Sequence, residues 1–65
     1  MDKAIRAAVD KAGGWRPLAR ALGIKVQSVQ RWKRIPAERV LQIEKTVGLR
    51  REFLRPDLYP KNDRR

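Results

Sequence analysis

The chain has 65 residues, with 17 Lys and Arg against seven Asp and Glu, a formal net charge of +10 and a sequence pI near 11.4. That length allows one small domain, which buries only ~60% of the surface its unfolded chain exposes. Cysteine and histidine are both absent, which excludes disulfides, thiolate or imidazole metal sites, a cysteine nucleophile and the usual neutral-pH general base. We therefore expect no enzyme, no metal and no cofactor. A strongly basic balance points instead to a polyanionic partner. The charge is also localised: from Lys11 to Ala37 there are seven basic residues and no acidic one. No apolar run reaches membrane-spanning length, and the start, MDKAIRAAVDKAGG, lacks the apolar core of a signal peptide. A cytoplasmic protein is the expectation.

In chain order, Asp2 is placed to cap a first helix running to about Ala12, ended by Gly13 and Gly14. Ile5, Ala8, Val9 and Ala12 form its apolar stripe. Lys3, Arg6 and Lys11 are either solvated or in contact with backbone phosphates. Trp15 opens a second helix with Pro17 in its first turn, and its ring belongs either in the core or against a sugar–phosphate edge. Leu18, Ala19 and Leu22 point inward, Ala19 allowing close helix approach. Gly23 supplies the positive φ of a sharp turn, and Ile24 plugs the corner.

A third helix then carries Val26, Val29 and Trp32 at three-residue spacing, on one face. Lys25 stands at its cap, where Ser or Thr would serve better. Val26 has two readings, core packing or contact with a thymine methyl. Ser28 reads as a small residue that allows close packing. Gln27, Gln30, Arg31 and Arg34 remain outward, and such side chains reach base edges. Arg16, Arg20, Lys25 and Lys33 suit phosphates. The segment Trp15–Arg34 thus reads as a helix-turn-helix.

Ile35-Pro36 breaks the pattern, and a fourth helix is expected from Pro36 to Val47, with Val40, Ile43 and Val47 at the centre of its apolar face. Leu49–Leu54 reads as a short fifth helix, stopped before Pro56. Phe53, Leu54, Leu58 and Tyr59 either fold back onto the first and fourth helices or make a dimer contact. No period-two alternation points to a strand. The expectation is an all-α bundle of about five helices over residues 1–60, with a basic, disordered tail over 61–65.

The pattern Ala19, Gly23, Ile24, Val29, Trp32 resembles the helix-turn-helix of the phage Cro and lambda-repressor-like family. The phrases IPAERV, from Ile35, and LRPDLYP, from Leu54, are similar to small prophage Cro proteins and YdaS-type regulators. The resemblance implies a DNA-binding transcriptional regulator, a Cro-type repressor that binds palindromic operators on double-stranded DNA as a homodimer, one that assembles in solution or only on DNA. It places Lys25, Val26, Gln27, Gln30, Arg31 and Arg34 in groove-facing positions. The rival reading is an antitoxin-like or adaptor module whose Phe53, Leu54, Leu58 and Tyr59 patch binds another protein.

Overall fold

A computed structural model describes residues 2–60. The described residues form helices and turns, with no strand among them; the tail expected over 61–65 lies outside them.

The first helix, α1 (Lys3–Ala12), starts because the Asp2 side chain accepts from the backbone N–H groups of Ala4 at 2.7 Å and Ile5 at 3.4 Å. It satisfies two of the donors that a helix start leaves unpaired. α1 buries Ala4, Ile5, Ala8 and Val9. α2 (Trp15–Leu22) follows and buries Leu18, Ala19 and Leu22. Its end is sharp. Gly23 sits at φ 73°, its N–H donates to the Arg20 carbonyl at 3.1 Å, and the Ile24 N–H donates to Ala19 at 3.0 Å. This paired pattern closes the last carbonyls of a helix and needs a left-handed residue at its centre. The chain then enters α3 (Val26–Arg31), whose Val29 is fully buried.

α3 is shorter than its apolar spacing implies. Trp32 is extended, at φ −63° and ψ 132°, and so does not continue the face of Val26 and Val29. Ile35 explains the early exit. It is fully buried, and an extended path through Trp32 lets the chain drop it into the core ahead of Pro36, which disfavours a helical residue before it. Trp32 still packs half-buried against the core.

The expected fourth helix divides. Pro36 is extended at φ −63° and ψ 141°, and Ala37–Arg39 form a single 3-10 turn, closed by Arg39 N–H to the Pro36 carbonyl at 3.0 Å. Only then does α4 (Val40–Val47) begin, burying Val40 and Ile43. The last helix, α5 (Arg51–Leu54), is one turn long and begins two residues later than the Leu49 expected from sequence.

α2 lies at the centre, against α1, α3 and α4, while α1 also meets α4 and α5. One cluster, headed by Ile5, Leu18, Val29, Ile35, Val40, Ile43 and Leu54, forms the core, and no polar or charged residue among those described is buried in it. Of the C-terminal apolar residues, Leu54 belongs to that core and Tyr59 packs on it, whereas Phe53 and Leu58 stay 41% and 45% exposed.

An added Cβ at Gly23 would meet nothing within 4 Å, so the cost of Gly23→Ala is conformational alone. We expect a loss of about 1–2 kcal/mol in chemical denaturation, with Gly23→Asn losing less, since Asn visits that region more readily.

Candidate nucleic-acid interface

The α2–turn–α3 unit carries its basic and amide side chains outward because its apolar ones are spent on the core. With Leu18, Ala19, Leu22 and Val29 turned inward, Arg16 and Arg20 are left exposed on α2 and Gln27, Gln30 and Arg31 on α3. Lys25 is exposed at the cap of α3 and makes no side-chain capping bond. Among the described residues, none of Arg16, Arg20, Lys25, Gln27, Gln30, Arg31 or Lys33 has a side-chain hydrogen bond or ion pair within the protein. This is a set of donors with no partner among the described residues.

Three placements differ from the sequence reading. Lys33 and Arg34 lie on the loop after α3, not on the helix, because α3 stops at Arg31. Arg34 is also partly engaged, its Nη1 lying 4.0 Å from Asp57 Oδ2. Val26 is half-buried against the core, so its methyl groups are only partly available outward. Ser28, expected at a packing position, is exposed. Trp15 is half-buried and packs on the core beside Arg6, Val9 and Asp10.

The side chains that hold the unit in place were not singled out from sequence. Arg55 is the main one. Its side chain is only 11% exposed; Nη1 donates to the Ile35 carbonyl at 2.7 Å, while Nε and Nη2 donate to Asp57 Oδ1 at 2.8 Å and Oδ2 at 2.7 Å. A planar guanidinium suits this double grip on one carboxylate. It fixes the loop leaving α3 to the C-terminal turn. The available signal was the pair of opposite charges flanking Pro56, since a tight turn brings positions i and i+2 together.

Two further links brace the bundle. Gln42 Nε2 donates to the Leu22 carbonyl at 3.3 Å, at the end of α2, and Gln42 Oε1 accepts from Arg39 Nη1 at 2.8 Å. Glu44, on α4, accepts from the Arg51 backbone N–H at 2.9 Å and from Arg51 Nε at 3.1 Å. Its carboxylate therefore caps α5 from outside, which is why that helix begins at Arg51. The Arg51 guanidinium carbon lies 5.7 Å from the centre of the Tyr59 ring, within cation–π range. None of the described helices is long and apolar enough to cross a membrane.

Residues 5–63 match the model of a family described as bacterial toxin YdaS, a family of small prophage-type proteins. The chain belongs to this family. No curated protein and no solved structure matches it. In this YdaS-family chain the match spans all of α2 and α3 together with Arg55 and Asp57.

Asp57 is held far below the ordinary carboxylate range, first by the hydrogen bonds from Arg55. Glu44 is lowered by the Arg51 backbone N–H and then by its guanidinium. A depressed carboxylate contributes stability that is full above the unfolded pKa, about 4, and lost as pH falls through the lower folded value. Thermal stability should thus hold from neutrality to about pH 5 and decline below it. A Glu44→Gln/Asp57→Asn variant, less stable at neutral pH, should show a shallower acid decline in calorimetric scans.

Proposed function

We propose that this YdaS-family chain is a sequence-specific double-stranded DNA-binding regulator of transcription, a Cro-type repressor that lays α3 of a helix-turn-helix in the major groove. The observation that carries the reading is a donor set with no partner among the described residues: Arg16, Arg20, Gln27, Gln30 and Arg31 stand exposed on two helices joined by the Gly23 turn, with Lys25 exposed at the cap of the second. No acid lies in that stretch of the chain. A helix fits the width of the major groove, and glutamine pairs its amide with adenine as arginine pairs with guanine, each good contact giving ~1–3 kcal/mol of discrimination. Gln27, Gln30 and Arg31 are assigned to bases. Val26 adds at most an edge contact, because the core already takes part of its surface.

Arg16, Arg20, Lys25 and Lys33 are assigned to phosphates, where they set register without reading sequence. Arg34 joins them, since its place on the loop sets it beyond the helix that faces the bases. The unused capping position supports Lys25 in that role. A serine would stabilise α3, and a lysine there contributes only its charge. We further propose a homodimer as the DNA-bound form, a symmetric protein on a palindromic site. Of the four residues expected to make that contact, Phe53 and Leu58 are the ones left exposed, as Leu54 is buried and Tyr59 packs on the core.

The rival reading is a module that binds a protein through the same Phe53 and Leu58 surface. It is supported by their exposure and by the family's description as a toxin, which names no nucleic acid. Selection of ligands from a random duplex library at near-physiological salt separates the two. A palindrome with half-sites about ten base pairs apart is expected; no enrichment, with binding that vanishes as salt rises, would move the protein partner forward.

Base readers and phosphate binders differ in signature. Gln30→Ala should relax preference at one base position in the recovered sites. Arg16→Ala should weaken all sites alike and lower the salt slope by roughly one unit, read from binding isotherms at several salt concentrations.

A further inference from the structure

Arg34 and Asp57 sit where the DNA-facing loop meets the C-terminal turn, and the chemistry of that junction is uneven. Arg55 takes both Asp57 oxygens at 2.7 and 2.8 Å and is nearly buried while doing so. Arg34 reaches the same carboxylate only at 4.0 Å, with its side chain 62% exposed and that of Asp57 44% exposed. The carboxylate is therefore fixed by one arginine and shared loosely with another. Its charge is already compensated by Arg55, so Arg34 is bound by an exposed ion pair of the weakest kind. Arg55 is immobilised by a third bond, to the Ile35 carbonyl at 2.7 Å; Arg34 has no hydrogen bond among the described residues. The two arginines sharing Asp57 thus differ in one respect that matters: Arg34 can leave.

We propose that Asp57 is a positioning residue for Arg34, a fixed anion that holds its guanidinium beside the loop in the free protein and yields it to a DNA phosphate on binding. This rests on the DNA reading above and adds to it an exchange: a carboxylate of the protein stands where a phosphate oxygen will compete. Arg55 makes the exchange possible, because it keeps Asp57 compensated and in place after Arg34 departs. No covalent step is involved; one ion pair is replaced by another, and counterions leave the DNA as they do for any lysine or arginine that neutralises a phosphate.

The test is a double-mutant cycle on the full chain, with a mixed-sequence duplex and with a duplex recovered by selection as probes. Asp57→Asn removes the competing charge and retains an oxygen for Arg55. It should tighten binding by about one-and-a-half- to fivefold at low salt, the range that an exposed ion pair spans. In the Arg34→Ala background the same substitution should have no effect beyond the error of the titration. Arg34→Ala alone should lower the salt slope by about 0.9, and Asp57→Asn should leave that slope unchanged, which a merely structural loss would not do.

A second measurement needs no variant. In nitrogen-labelled wild-type protein the Arg34 Nε–H resonance should shift when duplex is added, while that of Arg55 stays put. An equal gain from Asp57→Asn with and without Arg34, a weaker complex in the Asp57→Asn variant, or a stationary Arg34 signal in a formed complex would each overturn the exchange and leave DNA binding intact. A wild-type chain that binds neither duplex would overturn the DNA reading and the exchange together.

Discussion

The Arg55 guanidinium is the interaction on which the placement of the rest depends. The exposed side chains of α3 are useful only if the helix is held at a fixed angle to its neighbours. α3 is six residues long, too short to be stable by itself, and among the described helices it meets α2 alone. Its far end is secured by the loop that follows, and that loop is secured by Arg55 on the Ile35 carbonyl and by Ile35 itself, fully buried. A small hydrophobic core and one nearly buried guanidinium share the work. The core contains no described polar residue, so polar specificity is confined to its rim, at Asp2, Gln42, Glu44 and Arg55.

Those rim contacts share a logic. Three of them satisfy backbone groups at a helix end that lack helical partners. Asp2 serves the start of α1, Gln42 the Leu22 carbonyl at the end of α2, and Glu44 the first N–H of α5. A chain of this size cannot add stability by enlarging its core. Satisfying the ends of short helices is the remaining route, because helices of four to eight residues have at least as many terminal groups as internal ones. It also leaves the cations of α2 and α3 without a side-chain hydrogen bond or ion pair among the described residues.

The sequence made α1, α2 and the turn between α2 and α3 legible, because each is specified locally: a capping aspartate, a stripe at helical spacing, a glycine at the required left-handed position. It was less informative where distant residues decide. The spacing of Val26, Val29 and Trp32 suggests one longer face, and nothing within that segment says that burying Ile35 will pull Trp32 out of the helix. The start of α5 depends on Glu44, seven residues earlier, and the loop after α3 depends on Arg55, twenty residues later. For the candidate interface, the exposed donors could be named from sequence, whereas the half-burial of Val26 and the engagement of Arg34 by Asp57 are tertiary facts. The C-terminal apolar group was open between two roles; Leu54 and Tyr59 fold onto the core, whereas Phe53 and Leu58 stay exposed.

The left-handed backbone at Gly23 has a consequence for handedness. The backbone there adopts φ 73°. That angle is the mirror image of the one an L-residue prefers. A D-alanine would hold that angle without the strain an L-residue meets there, and it would restrict the unfolded chain, an effect worth about 0.4–1 kcal/mol by the entropy argument that applies to glycine replacement. The turn that joins the two helices is thus a point at which this chain of L-residues would be better served by one of the opposite hand.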